Sequence, residues 1–128
     1  MRDLGPVATY WKAHLGNGTG LALGEEEVFQ RLRSIVRRSA RVLEVGVGKG
    51  RLVRLLKEQS PGVALYGIDL TSNVLDCGVP GCVGDARELP FADGQFDAVY
   101  SFGVVEHFPE TLQAIREQAR VVRGGVTW

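Results

Sequence analysis

The chain has 128 residues, enough for one domain with a substantial buried core. It is 45% hydrophobic and 23% charged with a formal net charge of zero, which argues against any general attraction to nucleic acid or an anionic membrane. Charges interrupt the apolar stretches well before the ~20 residues of a membrane span, and the N-terminus lacks the apolar core of a signal peptide. We therefore expect a cytoplasmic protein without membrane association.

The predicted elements follow one another as alternating helices and strands. Residues 1–24 lack sustained periodicity, and we expect a short N-terminal helix and a glycine-rich loop there. Helical spacing of apolar residues from Glu25 predicts a helix that ends at Ser39. Later apolar runs predict strands at 41–45, 63–68, 81–83 and 96–101, and helices at 49–59 and from Pro109 to the Gly124-Gly125 pair, with a short helix between the second and third strands.

Strands that alternate with helices imply right-handed parallel crossovers, and hence a doubly wound α/β fold with a mostly parallel sheet. The last predicted helix carries four apolar residues on one face, namely Leu112, Ile115, Ala119 and Val122.

A glycine-rich loop follows the first predicted strand, where residues 42–51 read V-L-E-V-G-V-G-K-G-R. Ligands of doubly wound sheets bind at the carboxyl ends of the strands. The dinucleotide fingerprint requires a glycine where Arg51 stands, and a phosphate-binding P-loop requires one where Leu43 stands and Ser or Thr after Lys49. Both interpretations are disfavoured. What remains at the strand end is the pattern E-x-G-x-G-x-G, formed by Glu44, Gly46, Gly48 and Gly50.

With four further stretches in matching order, this loop resembles the class I S-adenosylmethionine-dependent methyltransferases. The stretches are Y-G-I-D-L with Asp69, G-D-A-R-E-L-P-F-A-D-G-Q-F-D-A-V-Y-S with Asp85, V-V-E-H-F, and A-R-V-V-R-G-G. The resemblance covers about residues 35–125 and is closest to the small-molecule enzymes of the ubiquinone-biosynthesis type. It implies a Rossmann-like methyltransferase fold, S-adenosylmethionine as cofactor and S-adenosylhomocysteine as product.

The loop glycines and Glu44 each have a functional and a structural interpretation. Glycine lets the backbone bend sharply and lets a ligand approach closely, although a purely structural tight turn also explains the three glycines. Glu44 ends a buried strand, where an acid is costly unless it is paired or faces a cleft. The resemblance implies that Glu44 helps to organise the amino end of the cofactor's methionine, through water or backbone; the alternative is a strand-end acid paired with an arginine.

Two aspartates end the next strands. Asp69 comes about twenty residues after the loop, a distance at which an acid can accept hydrogen bonds from both ribose hydroxyls, and its alternative is a turn or N-cap aspartate. The resemblance implies that Asp85 accepts a hydrogen bond from the adenine amino group and that the Ala86 N–H reaches a ring nitrogen; the alternative is an N-cap for the turn at 87–89. It also assigns cofactor contacts to Leu70 and Ser101.

The remaining candidates concern catalysis, the N-terminal segment and the cysteines. His107, beside Glu106, is a candidate general base, or the two side chains shape the cleft. Residues 1–24 form either a lid over the cofactor or a tethered helix that supplies aromatic packing. Cys77 and Cys82 do not match a common zinc spacing, so we expect no metal and free thiols, with a local disulfide as the alternative.

We therefore expect a methyltransferase that acts on a small-molecule acceptor. The alternatives are a non-catalytic module that binds S-adenosylmethionine or a partner and, disfavoured by Arg51 and Asp85, a nicotinamide-dependent oxidoreductase. The family sheet has seven strands, whereas 25–128 provides four and at most the start of a fifth, so we expect a cofactor-binding domain without the usual last strands. An open edge strand favours pairing with another chain, which predicts a homodimer, a strand-exchanged oligomer or a fragment of a longer chain.

Overall fold

A computed structural model describes residues 40–101 and 109–124, together with the single helical residue Gln30. Apart from Gln30, the helix predicted over 25–39 lies outside the described residues. So do the segment 1–24, the loop 102–108 with His107, and the start of a fifth strand at 126–128.

The described residues form a parallel four-stranded sheet in the order β3-β2-β1-β4. The strands are β1 (Arg41–Val45), β2 (Ala64–Asp69), β3 (Gly81–Val83) and β4 (Ala98–Tyr100). The helices are α1 (Arg51–Gln59), a 3₁₀ helix (Ser72–Asp76) and α2 (Thr111–Val121). The doubly wound parallel fold is therefore confirmed, with four strands in the described part of the chain.

The sheet buries both faces, as parallel sheets require. Successive side chains of β1 point to opposite faces, so Val42 and Glu44 lie on one side and Leu43 and Val45 on the other. One apolar cluster joins the sheet to α1 and the 3₁₀ helix, and consists of Val42, Val47, Leu52, Val53, Leu56, Leu65, Val74, Cys77 and Tyr100. The other joins it to α2 and the 85–97 loop, and consists of Leu43, Val45, Ile68, Ala86, Leu89, Phe96, Val99, Ala114, Val121 and Val122.

Two element starts differ from the sequence prediction for identifiable backbone reasons. The helix predicted from Lys49 begins at Arg51, because Gly50 has a left-handed φ of 76° that no helix continues. The strand predicted from Phe96 begins at Ala98. The Phe96 backbone instead bonds to the segment after α2: its N–H donates to the Val121 carbonyl (2.9 Å), and its carbonyl accepts from the Arg123 N–H (2.7 Å).

The prediction for α2 was wrong in its limits. Pro109 and Glu110 form a turn, and the helix begins at Thr111, with the Glu110 carbonyl accepting the first helical hydrogen bond from the Ala114 N–H (3.2 Å). The helix ends at Val121 rather than at the glycine pair, because Val122 turns to an extended conformation beside Phe96.

The predicted apolar face of α2 was also wrong. The helix buries Ala114, Gln118 and Val121, whereas Leu112 and Ile115 are 59% and 42% exposed. Ala119 is exposed, and Val122 is buried only as part of the extended segment after the helix. At about 100° per residue, the buried stripe is rotated by roughly a third of a turn from the predicted one, so hydrophobicity pointed to a neighbouring face of the helix. Polar contacts set the orientation instead, because Gln118 binds Ser101 and Arg120 binds the 85–97 loop.

Candidate cofactor site

The four strands end at one edge of the sheet, and the predicted site residues that the structure describes lie at or next to these strand ends. β1 leads into the glycine loop, β2 ends on Asp69, β3 leads to Asp85 and β4 leads to Ser101. The chain passes from β1 outward to β3 and then returns to the other side of β1 as β4. The strand order therefore reverses between β1 and β4, and this is where such sheets form a ligand-binding crevice.

The three loop glycines all have backbone conformations that favour glycine. Gly46, Gly48 and Gly50 have φ values of 82°, 59° and 76°. A Cβ on Gly50 would lie 3.0 Å from the Cβ of Cys77, so this position also needs close packing. A Cβ on Gly48 would meet no atom within 4 Å, so the loop at Gly48 borders open space that a ligand can enter.

Asp69 lies against the glycine loop, as its spacing predicts. Its Oδ2 accepts a hydrogen bond from the Gly48 N–H over 2.7 Å. Its Oδ1 accepts from the Thr71 N–H (3.0 Å) and from Thr71 Oγ1 (3.2 Å). A carboxylate accepts about four hydrogen bonds in total. Asp69 already accepts three hydrogen bonds, so it can accept two more from ribose hydroxyls only if it loses one of them. The bond from the Thr71 hydroxyl is the longest and is therefore the simplest to lose.

Glu44 is buried and paired with Tyr100, a residue that the sequence did not single out. The Tyr100 phenol donates to Glu44 Oε2 over 2.8 Å. Burial raises the pKa of Tyr100 well above its ordinary value, and the negative charge of Glu44 and their hydrogen bond raise it further. Tyr100 thus remains a protonated donor at neutral pH. A buried hydroxyl on a strand needs a partner, but only the β1–β4 register identifies it as Glu44.

Asp85 is held by Arg87. Its Oδ1 accepts from the backbone N–H (2.8 Å) and Nε (2.9 Å) of Arg87, and its Oδ2 accepts from Nη2. Arg87 Nη1 also donates to Glu110 Oε2 over 3.1 Å, which connects this turn to the start of α2. The hydrogen bond with Asp85 is the main cause of a raised Arg87 pKa. This geometry fits the turn interpretation of Asp85, and its contact with adenine stays a prediction.

The other predicted cofactor residues lie beside the second apolar cluster or at its border. Ala86 is buried in that cluster, and Leu70 is half-buried against it. Ser101 Oγ accepts a hydrogen bond from Gln118 Nε2 over 3.1 Å, and Gln118 is itself buried. A glutamine in an amphipathic helix is typical of a surface position, so nothing in the sequence indicated that Gln118 holds the end of β4.

The remaining predictions are only partly addressed by the described residues. Glu106 and His107 lie outside them. Cys77 and Cys82 are free thiols, as expected. Within 40–101 and 109–124, no three His, Cys, Asp or Glu side chains are grouped so that they can hold a metal ion. In the same ranges, no helix has the length and apolar character needed to cross a membrane.

The chain is similar to known proteins in both sequence and structure. A family model described as a methyltransferase domain matches residues 43–127. A probable chloroplastic tocopherol O-methyltransferase of Oryza sativa subsp. japonica is 38% identical over 104 residues, covering 68% of this chain and 28% of that protein. The demethylmenaquinone methyltransferase of Thermotoga maritima is 34% identical over 90 residues, covering 65% and 39%.

Among solved structures, the YcgJ protein of Bacillus subtilis superposes with a TM-score of 0.65 at 27% identity, over 77% of this chain and 45% of that one. The chain thus spans less than half the length of these two curated relatives and of this structural neighbour.

Proposed function

The chain belongs to the class I S-adenosylmethionine-dependent methyltransferases, and on that premise we propose that it binds S-adenosylmethionine and transfers its methyl group to a small molecule. The observation that carries the proposal is the hydrogen bond from the Gly48 N–H to Asp69 Oδ2. It joins the glycine loop after β1 to the acid at the end of β2, next to the point between β1 and β4 where the strand order reverses. The open space at Gly48 leaves room for a ligand to lie along the loop.

The cofactor supplies a methyl group activated by a sulfonium centre. The chain's part is to bind, align and exclude water, so no covalent enzyme nucleophile is required. We assign the ribose hydroxyls to Asp69, the methionine ammonium to Glu44, and the adenine to Asp85, the Ala86 N–H and Leu70. Ser101, held by Gln118, borders the methionine, and the bending of Gly46 and Gly50 keeps the backbone close to the ligand.

Calorimetric titration tests the cofactor assignment. S-adenosylmethionine and S-adenosylhomocysteine should both bind the full chain, and NAD should not. Asp69→Ala should weaken binding roughly thirtyfold, the equivalent of about 2 kcal/mol for hydrogen bonds to a charged acceptor. If neither sulfur compound binds at millimolar concentration, the proposal is wrong.

Methyl transfer is tested separately from binding. The two curated relatives are named for tocopherol and demethylmenaquinone, which favours isoprenoid quinols and related phenols as the first acceptors to try. For such hydroxyl acceptors, His107 is our candidate general base. Because the chain spans 28% and 39% of those relatives, a non-catalytic binding module is the second candidate. Binding without transfer of labelled methyl to these acceptors or to a metabolite extract would favour it.

Assembly, location and the N-terminal segment are further proposals. We propose a cytoplasmic protein, a setting that suits its two free thiols. Residues 1–24 are proposed to cover the bound cofactor. Within the part of the chain that the structure describes, β4 pairs with β1 alone, which favours association of two copies through its other edge.

A further inference from the structure

Glu44 and Tyr100 lie opposite each other on β1 and β4, the two strands between which the strand order reverses. The parallel register pairs these residues directly, and both side chains lie on the face covered by α1. The phenol oxygen lies 2.8 Å from Glu44 Oε2. Glu44 is 5% exposed and Tyr100 is completely buried, so the hydrogen bond is shielded from water.

Because water is excluded, this hydrogen bond affects whether the Glu44 carboxylate is ionised. A buried carboxylate is unstable in its ionised form unless donors compensate for the lost water. The phenol has one O–H, and it is directed at Glu44. Because the strand pairing fixes the backbone of both residues, the donor is in place before any ligand arrives.

We propose that Tyr100 is a positioning residue, which holds the Glu44 carboxylate ionised and in one orientation for the ammonium group of the bound cofactor. The inference rests on the proposed function, because it is Glu44 that meets the ligand. Tyr100 acts through Glu44, and its contribution is to order the acceptor in advance, which lowers the entropic cost of binding.

The surroundings of the pair give the inference a pH signature. Of the described residues on this face, Cys77 is a titratable neighbour whose interaction further raises the pKa of Tyr100. α1 covers the same face with Leu52, Val53 and Leu56. Removal of the phenol hydroxyl would leave Glu44 buried with one donor fewer, so the Glu44 pKa would rise. Since a protonated Glu44 cannot pair with an ammonium, binding would then fail at a higher pH than in the wild type.

The test compares Tyr100→Phe with a matched variant, Tyr66→Phe. Tyr66 lies on β2 on the opposite face of the sheet, with its ring 5.7 Å from that of Phe96. Calorimetric titrations of S-adenosylmethionine into the full chain are run from about pH 5 to pH 8. At neutral pH, Tyr100→Phe should bind roughly tenfold more weakly, and its affinity should fall at higher pH than that of the wild type. Tyr66→Phe should match the wild type in both respects.

A double-mutant cycle separates positioning from general stability. Glu44→Gln removes the charge, so Tyr100→Phe should add little further loss of affinity in that background. The inference would be overturned if Tyr100→Phe caused the same loss of affinity in the wild-type and Glu44→Gln backgrounds. It would also be overturned if Tyr100→Phe left the pH dependence of binding unchanged. If Tyr100→Phe does not fold, as judged by thermal denaturation, Glu44→Gln alone decides: it should bind S-adenosylmethionine more weakly than the wild type, and an unchanged affinity overturns the inference. Failure of the wild type to bind overturns the proposed function instead.

Discussion

Gly48 and Gly94 share a backbone conformation but lie in different parts of the molecule. Their φ values are 59° and 64°, and a Cβ would meet no atom within 4 Å at either position. Replacing either glycine with alanine should therefore lower the free energy of unfolding by about 1–2 kcal/mol, the penalty of a left-handed backbone for a residue with a Cβ. Gly48→Ala should also weaken S-adenosylmethionine binding by at least about tenfold, since the added methyl group occupies the space that the ligand enters.

Urea denaturation and calorimetric titration of both variants check this. Gly94→Ala should lose stability and retain affinity, because its turn contacts α2 through the Arg120 carbonyl rather than the crevice. Equal affinities for the two variants would remove the glycine loop from the binding site.

Glu117 is a single residue with a predictable effect on acid stability. The hydrogen bond from Arg120 is the main cause that lowers the Glu117 pKa below its ordinary value of 4.5, and the Leu89 N–H adds to it while burial opposes it. A carboxyl with a lowered folded-state pKa stabilises the fold above its unfolded-state pKa, and that contribution is lost as the pH falls through the folded-state value.

Glu117→Gln should therefore lower the free energy of unfolding at neutral pH and flatten its decline below pH 4.5. Urea denaturation at a series of pH values measures this. Glu58→Gln is the matched control, because it removes the same charge at an exposed position on α1. If the two variants decline in parallel with acid, the ion pair of Glu117 does not account for the acid sensitivity.

At the scale of elements, one arginine of α2 makes three hydrogen bonds to the 85–97 loop. Arg120 donates to the carbonyls of Phe91 (2.8 Å) and Leu89 (2.9 Å) and to Asp93 Oδ1 (2.8 Å). Arg120→Gln should lower the free energy of unfolding by roughly 1–3 kcal/mol, because two carbonyls lose charged donors. Arg116→Gln, one turn earlier and exposed, should change it by less than about 0.5 kcal/mol. Equal effects in urea denaturation would mean that the contacts of Arg120 with the loop do not stabilise the fold.

The sequence predicted elements best where burial alone determines them. β1 and β3 have the predicted limits, and β2 is shifted by one residue at each end, because their buried apolar runs are bounded by turn residues. The face of α2 could not be predicted, since Gln118, Glu117 and Arg120 orient it through contacts with loops distant in sequence.

At the scale of the whole molecule, exposed apolar side chains on α2 predict self-association. Leu112 and Ile115 are exposed on α2, and β4 has β1 as its only strand partner in the described ranges. Light scattering should give a mass near twice 13.9 kDa. The paired change Leu112→Glu and Ile115→Glu should shift the mass toward the monomer, whereas Leu75→Glu, equally exposed on the 3₁₀ helix, should not. A wild-type monomer at all concentrations would contradict the prediction.

The placement of the candidate residues at one edge of the sheet was predictable, whereas their contacts were not, and their roles stay predictions. Because parallel strands end at one edge, the order of the strands was enough to bring the glycine loop and Asp69 together. The contacts of Tyr100 and Arg87 were not predictable. The Tyr100–Glu44 and Arg87–Glu110 contacts join side chains 56 and 23 residues apart, which no single stretch of sequence encodes, whereas the Arg87–Asp85 contact lies within one turn.

Because Gly50 packs closely on Cys77, the reactivity of the Cys77 thiol depends on the conformation of the glycine loop. Cys77 is buried beneath the loop, whereas Cys82 is half-buried at the edge strand. A thiol reagent can modify Cys77 only when the packing around it opens, and Cys82 in the same molecule serves as the reference rate. A ligand that closes the loop should slow modification of Cys77 selectively. Occupancy of the site can thus be followed by mass spectrometry without a label, an acceptor or any turnover.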